Sequence, residues 1–435
     1  MLKKIKAIRG MNDYFPNETI FWQNIEKIFK KILNNYGYKE IRLPIIEQTN
    51  LFQRAIGNIT DVIEKQMYTF KNCKGKSLTL RPEGTASCIR ASIENGIIYN
   101  QEQRFWYYGP MFRYEKPQRG RYRQFHQLGV EMFGQKGPDV DAELILITQR
   151  LWKSLGINKY VSLELNSIGS KKTRENYNKI LISFFKKNKS YLNKKYLKLI
   201  NKNPIRILDK KDHNINNLIK NIKKITDYLD EKSKNHFNKL CEFLDHNKIK
   251  YKINNNLVRG LDYYNDTVFE WITNKLGSQN TICGGGRYDN LVEQLGGKPT
   301  PAIGFAIGIE RLIMLIKITN PNFNKSLKPN VYLATIGKNI KIKAFLLAEK
   351  IRNEIPELQL ITNYGKKNLK KQLIQAKKYE SNIILIIEKN ESKEELIIMK
   401  NLVTKKQEKL TINNIILKLK KIIKFNSYKF TGIND

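Results

Sequence analysis

The stretch FWYYGPMFRYEKPQRGRYRQFHQLGVEMFG, Phe105–Gly134, decides the architecture of this chain. An aromatic run that ends near Arg113 predicts one strand, and an alternating pattern that begins near Arg123 predicts a second, antiparallel strand. Because strand side chains alternate, one face of the second strand is polar with a glycine and the other is mostly apolar. The polar face carries Arg123, Phe125, Gln127, Gly129 and Glu131. The other face carries Gln124, His126, Leu128, Val130 and Met132.

A row of polar side chains among aromatic ones predicts a small-molecule pocket. The connecting loop, Glu115–Arg121, combines three cations with a proline and a glycine. Such a loop above a pocket suits a phosphate or the end of a nucleic acid. The alternative is a strand pair buried on both faces and joined by a basic turn, and the hairpin alone does not separate the two interpretations.

The composition limits the class of protein. At 435 residues, with 41% apolar and 27% charged residues, the chain suits two or three globular domains. The formal net charge of +39 predicts a polyanionic partner, most simply a nucleic acid. The abundance of Lys, Asn and Ile also fits the codons of an AT-rich genome, so composition leaves open how much of the charge is functional.

The cysteines form no CxxC pair and the histidines no close pair, so we expect neither a structural metal nor a disulfide framework. They are Cys73, Cys88, Cys241 and Cys283, and His126, His213, His236 and His246. No apolar run follows the basic N-terminus, and no stretch approaches the ~20 apolar residues of a membrane span. We therefore expect a cytoplasmic protein without membrane attachment.

The first fifty residues predict a helix and a strand. Residues 17–35 have one apolar helical face, with Asn17 as the capping residue. The sequence YGYKEIRLPIIE, residues 36–47, predicts a strand that contains Pro44. Because proline cannot donate to a ladder, we expect an edge or a kink there, such as a subunit contact.

Further elements follow the same logic. Residues 76–81 predict a strand that turns into a helix from Ala86, and Glu83 lies in that turn. Glu83 either points into a site or caps the helix through its carboxylate. A helix is predicted over 139–155 and a strand over 160–166.

The middle of the chain changes character. Residues 171–252, rich in Lys and Asn, predict a solvated, basic helical insertion, after which Leu257–Thr273 predicts a strand. Cys283–Gly297 (CGGGRYDNLVEQLGG) predicts a glycine turn that opens a helix, which suits either ligand approach or a tight connection. Gly304–Ile316 (GFAIGIERLIMLI) predicts a strand with one flat face that enters a helix, and Arg311 beside this face suits a purine ring.

The last third predicts a separate domain. Residues 319–329 resemble a linker, and beyond them helices and strands alternate as in an α/β domain on a largely parallel sheet. The lysine-rich stretch 366–378 is either an RNA-binding face or a solvated helix surface. Residues 425–435 are expected to form a frayed tail.

Together these stretches resemble the histidyl-tRNA synthetases of bacterial type, a family of class II aminoacyl-tRNA synthetases. YGYKEIRLPIIE, FRYEKPQRGRYRQFHQLGVE and GFAIGIERL are similar to class II motifs 1, 2 and 3. LVRGLDYYNDTVFEW and GGGRYDNLVEQLGG are similar to the two histidine-specific signatures of the family. The resemblance extends from AIRGMNDYFP near the N-terminus to the C-terminal domain.

The resemblance implies a multidomain fold of mixed α/β and α+β class. The expected parts are an antiparallel-sheet catalytic domain over 1–325, interrupted by the helical insertion at 171–252, an α/β anticodon-binding domain over 326–424, and a tail over 425–435. The implied enzyme is a histidine–tRNA ligase that joins L-histidine and ATP as histidyl-adenylate, then transfers histidine to the 3′ end of tRNA-His. ATP would act as a substrate with Mg²⁺, without a structural metal, in a cytoplasmic homodimer formed through motif 1.

The family implies catalytic roles for Arg113, Arg259 and Arg311. Arg113 and Arg259 would hold the α-phosphate, the latter where related enzymes use a metal ion, and Arg311 would cover the adenine. Arg121 would meet the γ-phosphate, and Gly308 completes the expected ATP site. A planar guanidinium suits these roles because it holds two oxygens at once.

The family also implies a histidine pocket. Glu83, Thr85 and Gln127 would bind the α-amino group, and Glu131 and Tyr264 would partner the two ring nitrogens. A pocket with a partner for each nitrogen rejects a non-polar side chain by about 10⁴–10⁵ without editing. The full expected set is Glu83, Thr85, Arg113, Gln127, Glu131, Arg259, Tyr263, Tyr264 and Tyr288.

The remaining implied contacts are with tRNA. The acceptor end would meet the loop between the two strands of the hairpin, called the motif 2 loop below. The contacts would be made by Lys116, Gln118, Arg119 and Arg123. Lys116 stands where the family pattern has Arg, so it keeps the charge but loses the bidentate fork. The insertion would reach over the acceptor arm, and the C-terminal domain would bind the anticodon.

Three alternatives compete with this interpretation. The regulatory subunit of ATP phosphoribosyltransferase resembles the catalytic domain, but such proteins typically lack the anticodon-binding domain and parts of the histidine signatures. A synthetase for threonine or proline would not need Glu131, Tyr264 and RGLDYY. A non-enzymatic RNA-binding protein would not require Arg113, Arg259 and Arg311 together.

Overall fold

The structure, a computed structural model, describes residues 4–57, 60, 62–208, 213–220, 222–277, 279–321, 323, 330–337, 340–363, 368–388 and 396–428. The chain divides into two compact units, Met1–Asn324 and Lys325–Asp435. Among the described residues, no helix is both long enough and apolar enough to cross a membrane.

The first unit contains both strands and helices. Its strands are β1 (Lys39–Glu40), β2 (Ile46–Gln48), β3 (Tyr68–Lys71), β4 (Ser77–Leu80), β5 (Gln103–Phe112), β6 (Gln124–Phe133), β7 (Ser162–Ser167), β8 (Tyr251–Ile253), β9 (Asn265–Ile272), β10 (Thr281–Arg287) and β11 (Ala302–Gly308). Its α-helices are α1 (Pro16–Asn35), α2 (Thr49–Ile56), α3 (Thr85–Glu94), α4 (Pro138–Ser154), α5 (Lys171–Lys187), α6 (Lys194–Lys202), α7 (His213–Ile219), α8 (Glu231–His246), α9 (Leu291–Gln294) and α10 (Ile309–Thr319).

The described part of this unit is organised around an eight-stranded sheet in the order β1-β5-β6-β11-β10-β9-β7-β8. The inner pairs are antiparallel, and the two end pairs, β1 with β5 and β7 with β8, are parallel. A smaller sheet has the order β2-β4-β3. The predicted antiparallel-sheet architecture is therefore confirmed.

The hairpin predicted from Phe105–Gly134 is present, because β5 ends at Phe112 and β6 begins at Gln124. Its predicted alternation is also confirmed. Leu128, Val130 and Met132 are at most 1% exposed and pack with residues of α1 and α4 in the main core. The opposite face of β6 is thereby left for the site.

The single strand predicted over residues 36–47 is wrong. β1 pairs with β5 in the large sheet, whereas β2 pairs with β4 in the small one. Between them, the Arg81 guanidinium donates to the carbonyl oxygens of Leu43 (2.9 Å) and Pro44 (3.3 Å). Because a side chain holds these carbonyls and Pro44 has no N–H, the ladder is interrupted here.

The segment 171–252 is helical as predicted and contains α5 to α8. The prediction that it is solvated holds only for its polar faces. Leu240 and Leu244 of α8 lie in the main core, and Leu181 and Phe185 of α5 lie in a second apolar cluster. Each helix buries one apolar face while the lysines of α5 and α8 stay exposed.

The glycine turn predicted within Cys283–Gly297 is wrong, because Gly284–Gly286 lie in β10. A Cβ at Gly285 would overlap the carbonyl oxygen of Gly304 on β11, so glycine permits the close strand pairing. The strand predicted over Leu257–Thr273 is present only in its second half, as β9.

The second unit is an α/β domain. Its strands are β12 (Asn330–Ile336), β13 (Gln359–Thr362), β14 (Ile383–Glu388), β15 (Ile397–Asn401) and β16 (Gln407–Leu410), and its helices are α11 (Lys341–Glu354), α12 (Leu369–Lys378) and α13 (Ile412–Tyr428). The sheet order is β13-β12-β14-β15-β16. β12 is parallel to both of its neighbours, but β15 is antiparallel to β14 and β16, so the sheet is mixed rather than largely parallel.

Two helix ends differ from the predictions. Asn17 is not the cap of α1, because this helix begins one residue earlier at Pro16, whose fixed φ suits a first turn. The tail predicted from residue 425 is helical as far as Tyr428, and residues 429–435 lie outside the described part of the chain. Most of the linker predicted over 319–329 also lies outside it.

Candidate active site

A cavity of about 340 Å³ opens beside the polar face of β6. The predicted site residues that line it are Glu83, Thr85, Arg113, Arg121, Gln127, Arg259, Tyr263, Tyr264, Tyr288, Gly308 and Arg311. These residues are distant from one another in the sequence. They meet around the cavity because β6, β11, β10 and β9 are consecutive neighbours in the sheet. The structure therefore brings together the residues expected to bind ATP and histidine.

Glu131 does not line the cavity itself: it lies directly beneath the floor that Thr85, Tyr107 and Tyr288 form, and it is 1% exposed. Its Oε1 accepts hydrogen bonds from the hydroxyls of Thr85 (2.8 Å) and Tyr107 (2.9 Å), and its Oε2 accepts one from the hydroxyl of Tyr288. A Cβ at Gly304 would overlap Glu131 Oε2. Glycine at this position therefore makes room for the carboxylate.

Burial raises the pKa of Glu131 to about 8, although the three hydroxyl donors oppose the rise. At pH 7 the carboxyl group therefore largely retains its proton. Such a group can share a proton with a basic ring nitrogen, whose ordinary pKa lies close to neutrality. The floor of the cavity is thus suited to an imidazole.

Two glycines make room for the Tyr107 side chain. A Cβ at Gly84 or at Gly129 would overlap the Tyr107 ring. Gly129, the glycine on the polar face of β6, therefore makes room for the Tyr107 ring. Because its hydroxyl donates to Glu131, the ring orients the floor of the cavity.

Glu83 has two roles in the structure. Its carboxylate oxygens accept from the backbone N–H groups of Thr85 (2.8 Å) and Ala86 (2.9 Å) at the start of α3, so the helix-capping alternative is confirmed. Burial raises its pKa, and these two hydrogen bonds together with nearby Arg113 oppose the rise. Glu83 also lines the cavity, and a carboxylate has further lone pairs to offer a ligand.

Arg113 is placed at the end of β5, where the chain enters the motif 2 loop. Its Nε donates to the carbonyl oxygen of Pro82 (2.9 Å), and its guanidinium lies 5.3 Å from the centre of the Phe125 ring. Burial lowers the pKa of Arg113, and the Glu83 carboxylate opposes this effect. The orientation of the guanidinium is thereby set before any ligand binds.

Arg259 lies in a slot formed by β9 and β10. Its guanidinium forms an ion pair with Glu270, whose Oε2 accepts from the Thr281 hydroxyl (2.9 Å), and it lies 5.7 Å from the Tyr264 ring centre. A Cβ at Gly284 would overlap the guanidinium. Burial disfavours the charge of Arg259, but Glu270 together with Tyr264 and Tyr263 more than offsets this effect, and the pKa is raised.

Arg311 joins the motif 2 loop to β10. It donates to the carbonyl oxygens of Gly120 (2.8 Å) and Thr281 (2.9 Å) and to the Gln279 side chain (3.0 Å). Burial and neighbouring cations, Arg121 first among them, lower the pKa of Arg311 to about 10. Mutual repulsion among these arginines favours a bound polyanion such as a triphosphate.

The predicted tRNA-contacting residues do not line the cavity. Lys116, Gln118 and Arg119 are exposed on the motif 2 loop. Arg123 is half-buried, with its guanidinium 4.0 Å from the centre of the Tyr114 ring. Lys116 and Arg119 of the loop are therefore outside the cavity, whereas Arg121 of the same loop lines it.

The sequence analysis missed several residues of the site. Tyr107, Glu270, Glu310 and Arg206 contact or line the cavity without having been assigned a role there. Glu310 accepts from the backbone N–H of His126 (2.9 Å), and its position beside Arg311 in motif 3 was an available signal. Arg206 lies in the insertion, where no local pattern distinguishes it from other cations.

The cavity offers little for a metal ion. Within the described part of the chain, no three His, Cys, Asp or Glu side chains are grouped so that they could hold one. Glu270 is paired with Arg259, and Glu310 with His126.

An antiparallel sheet that carries clustered arginines beside a polar cavity, in a chain that also contains a separate α/β unit, defines a class II aminoacyl-tRNA synthetase. A family model described as histidyl-tRNA synthetase matches residues 10–312. The structure of apo histidyl-tRNA synthetase from S. aureus is similar, with 33% identity, a TM-score of 0.79, and coverage of 96% of this chain and 100% of that one. The chain belongs to the histidyl-tRNA synthetase family and is an aminoacyl-tRNA ligase specific for histidine.

More distant structures share the fold. Histidyl-tRNA synthetase from Nostoc sp. PCC 7120 is 17% identical with a TM-score of 0.71, and the match covers 97% of this chain and 100% of that one. A protein from Bacillus halodurans described as an ATP phosphoribosyltransferase regulatory subunit/histidyl-tRNA synthetase is 19% identical with a TM-score of 0.64, over 90% of this chain and 100% of that one.

Proposed function

We propose that the cavity binds ATP and L-histidine side by side and forms histidyl-adenylate and pyrophosphate, before histidine passes to the 3′ end of tRNA-His. The observation that carries the proposal is the placement of Arg113, Arg259 and Arg311 around one cavity, with Glu131 held directly beneath its floor. Cations suit the phosphates, and a buried carboxyl with hydroxyl partners suits an imidazole.

In the first step the histidine carboxylate attacks the α-phosphorus of ATP. This carboxylate is already ionised near pH 7, so no general base is required. The residues must instead align the two substrates and stabilise the charge that builds on the α-phosphate. We assign this stabilisation to Arg113 and Arg259, whose orientations are set by Pro82 and Glu270.

We assign the adenosine triphosphate to the wall formed by β11 and the motif 2 loop. Gly308 and Ala306 give that strand a flat face, and Arg311 would cover the adenine placed on it. Arg121 would meet the γ-phosphate; it forms an ion pair with Glu115, which would hold it over the cavity. Mg²⁺ would accompany the phosphates.

We assign histidine to the deeper half of the cavity. Glu83, Thr85 and Gln127 would bind the α-amino group, and Glu131 and Tyr264 the ring nitrogens. Tyr263 and Tyr288 would complete the walls; they are 6% and 1% exposed, and their rings lie 5.5 Å apart. A pocket whose polar groups would be left unpaired by a non-polar side chain discriminates without editing.

The proposal extends to tRNA. Lys116, Gln118, Arg119 and Arg123 would meet the acceptor end, and the exposed lysines of the insertion would contact the acceptor arm. The second unit would bind the anticodon. Of the stretch 366–378, the described part contains all of α12, and its four exposed lysines support this role: Lys370, Lys371, Lys377 and Lys378.

A homodimer formed through motif 1 is also part of the proposal. Ile45, Ile46 and Phe70 are 43%, 45% and 42% exposed, and they lie on or beside the small sheet that follows β1. Exposed apolar side chains on one small sheet are a typical feature of an interface. We place the enzyme in the cytoplasm, and the four free cysteines support a reducing compartment.

The decisive experiment is ATP–pyrophosphate exchange with the purified protein and each of the twenty amino acids in turn. We expect exchange with histidine alone. Folded, dimeric protein that supports no exchange with any amino acid would overturn the proposal in favour of a regulatory subunit or a non-enzymatic RNA-binding protein.

The assignment of Arg259 has its own test. We expect Arg259→His to lower the rate of exchange by about 10²–10³-fold, because a donor to the developing charge is lost, while histidine binding stays nearly intact. Arg150→His, at an exposed position outside the cavity, is the matched control. Near-normal exchange in the Arg259 variant would refute its role.

A further inference from the structure

The segment Val258–Tyr264 brings Arg259, Tyr263 and Tyr264 into the cavity without the support of regular structure. It lies between β8 and β9 and contains neither helix nor strand. A strand is held by its ladder and a helix by its internal hydrogen bonds, but an irregular segment depends on side chains that hold its backbone. The groups that hold this segment therefore control where its arginine and tyrosines lie.

Asp262 is the point at which the segment is held. Arg206 donates to Asp262 Oδ1 through Nε (3.2 Å) and Nη2 (3.0 Å), and Asn203 Nδ2 donates to the same oxygen (2.9 Å). Arg206 Nη2 also donates to the carbonyl oxygen of Gly260 (2.6 Å). Arg174 Nη1 reaches the carbonyl oxygen of Asp262 (3.4 Å).

All three donors belong to the helical insertion. Arg174 lies on α5, Asn203 directly after α6, and Arg206 in the 3₁₀ turn Pro204–Ile207. The side chain of Arg206 is 12% exposed, and Arg206 also lines the cavity. The contact is thus a partly desolvated, charge-assisted network rather than a surface ion pair.

The other side of Asp262 packs against the end of α2. Its backbone N–H donates to the carbonyl oxygen of Ile56 (3.4 Å), and a Cβ at Gly57 would lie 3.0 Å from Asp262 Oδ2. Gly57 has a φ of +88°, a conformation that favours glycine. Asp262 is therefore clamped between α2 and the insertion.

We propose that Arg206 and Asn203 are positioning residues for adenylate formation: through Asp262 the insertion holds Val258–Tyr264 in its working position. This inference rests on the proposed function, because it assigns Arg259 to the α-phosphate and the two tyrosines to histidine. The insertion then contributes to the first step, in which tRNA takes no part. A shift of the insertion on binding RNA would be transmitted to Arg259 through the same contacts.

The experiment is a double-mutant cycle with Arg206→Ala, Asp262→Ala and the combined variant in the full chain. Each single change is expected to lower kcat of histidine-dependent exchange by about ten- to a hundredfold, since misplacement by about 1 Å has effects of this size. The combined variant is expected to lose much less than the product of the two single losses, because both changes remove the Arg206–Asp262 contact. Effects that multiply in the combined variant would overturn the inference.

Lys202→Ala is the matched control. Lys202 lies at the end of α6 and forms an exposed ion pair with Glu64 (3.1 Å), so its removal is expected to change kcat by less than about twofold. An Arg206→Ala variant as active as this control would overturn the inference. Arg206→Lys retains the charge but not the two-nitrogen guanidinium contact, so it is expected to recover only part of the kcat lost in Arg206→Ala.

A second measurement does not depend on activity. Amide hydrogen exchange of peptides that cover Val258–Tyr264 is expected to quicken about tenfold in Arg206→Ala, while peptides from α1 stay unchanged. Unchanged exchange in Val258–Tyr264 would overturn the inference even if the wild-type enzyme activated no amino acid. Absence of activity in the wild-type protein would instead contradict the proposed function, so the two failures are distinguishable.

Discussion

Replacing Glu131 by glutamine tests the electrostatics at the floor of the cavity. Glutamine has nearly the same shape, but it offers one acceptor oxygen and an NH₂ group in place of two acceptor oxygens. Thr85 and Tyr107 can still donate to the oxygen, whereas the Tyr288 hydroxyl, which donates to Oε2, must turn to accept. At a pH where Glu131 is uncharged, this rearrangement is expected to lower the free energy of unfolding of the variant by about 1 kcal/mol.

The magnitude follows from the pKa of Glu131, which burial raises from its ordinary 4.5 to about 8. Between these values the folded protein binds more protons than the unfolded chain, so the free energy of unfolding falls as the pH rises. The whole rise corresponds to about 5 kcal/mol, of which about 4 kcal/mol falls between pH 5 and pH 9. Glutamine does not titrate. From pH 5 to pH 9, the free energy of unfolding of the Glu131→Gln variant is therefore expected to rise by about 4 kcal/mol relative to that of the wild type.

The assay is urea unfolding of both proteins across this pH range, followed by tryptophan fluorescence. All four tryptophans lie in the first unit, so the signal reports the unit that contains Glu131. Glu293→Gln, at an exposed position, is the matched control and is expected to show a constant difference from wild type. A Glu131→Gln difference that does not vary with pH would refute a raised pKa.

The same variant also tests the histidine pocket. At pH 7 its KM for histidine in ATP–pyrophosphate exchange is expected to rise about ten- to a hundredfold, because glutamine cannot share a proton with the ring as the carboxyl group can, and a hydrogen bond with charged character contributes about 1.5–3 kcal/mol. An unchanged KM for histidine would remove Glu131 from the list of residues that contact the ring.

Three further predictions concern other parts of the chain. Gly284→Ala places a methyl group on the Arg259 guanidinium and is expected to lower kcat of exchange about a hundredfold; an unchanged kcat would show that Arg259 acts elsewhere. Raising the salt concentration from about 50 to 200 mM is expected to lower kcat/KM for tRNA charging by on the order of a thousandfold, with a smaller effect on exchange. A flat response would attribute the charge of +39 mainly to composition. Leu385→Ala in the buried β14 is expected to destabilise the second unit by about 2–5 kcal/mol while exchange stays within about twofold of wild type. Loss of exchange in that variant, at a temperature where the first unit remains folded, would contradict the expectation that the first unit activates histidine without a stable second unit.

Local patterns in the sequence were sufficient for the elements that carry the site. The two faces of β6 followed from the alternation of polar and apolar residues, since a strand has a period of two whatever surrounds it. The helical insertion and the strand-to-helix passage at Gly304–Ile316 followed in the same way. Resemblance to known motifs then indicated which residues to expect around the cavity, and Glu83, Arg113, Arg259 and Arg311 do line it.

Other features depend on contacts between segments that are distant in the sequence. The glycines of β10 were predicted to form a turn, because no local signal shows that a guanidinium and a neighbouring strand occupy the space beside them. The break between β1 and β2 depends on Arg81, nearly forty residues away, which holds the carbonyls of Leu43 and Pro44. Such contacts exist only once the sheet has formed.

The sequence by itself determined the hairpin and the residue types available for chemistry, because these follow from periodicity and composition, and its motifs indicated the class of fold through their resemblance to a known family. Only the tertiary structure decided the state of those residues. Burial beneath Tyr107 and Tyr288 sets the pKa of Glu131, and Asp262 is held by an insertion whose sequence shows only basic helices. Desolvation and long-range hydrogen bonds depend on which groups surround an atom in three dimensions, and local sequence does not encode that arrangement.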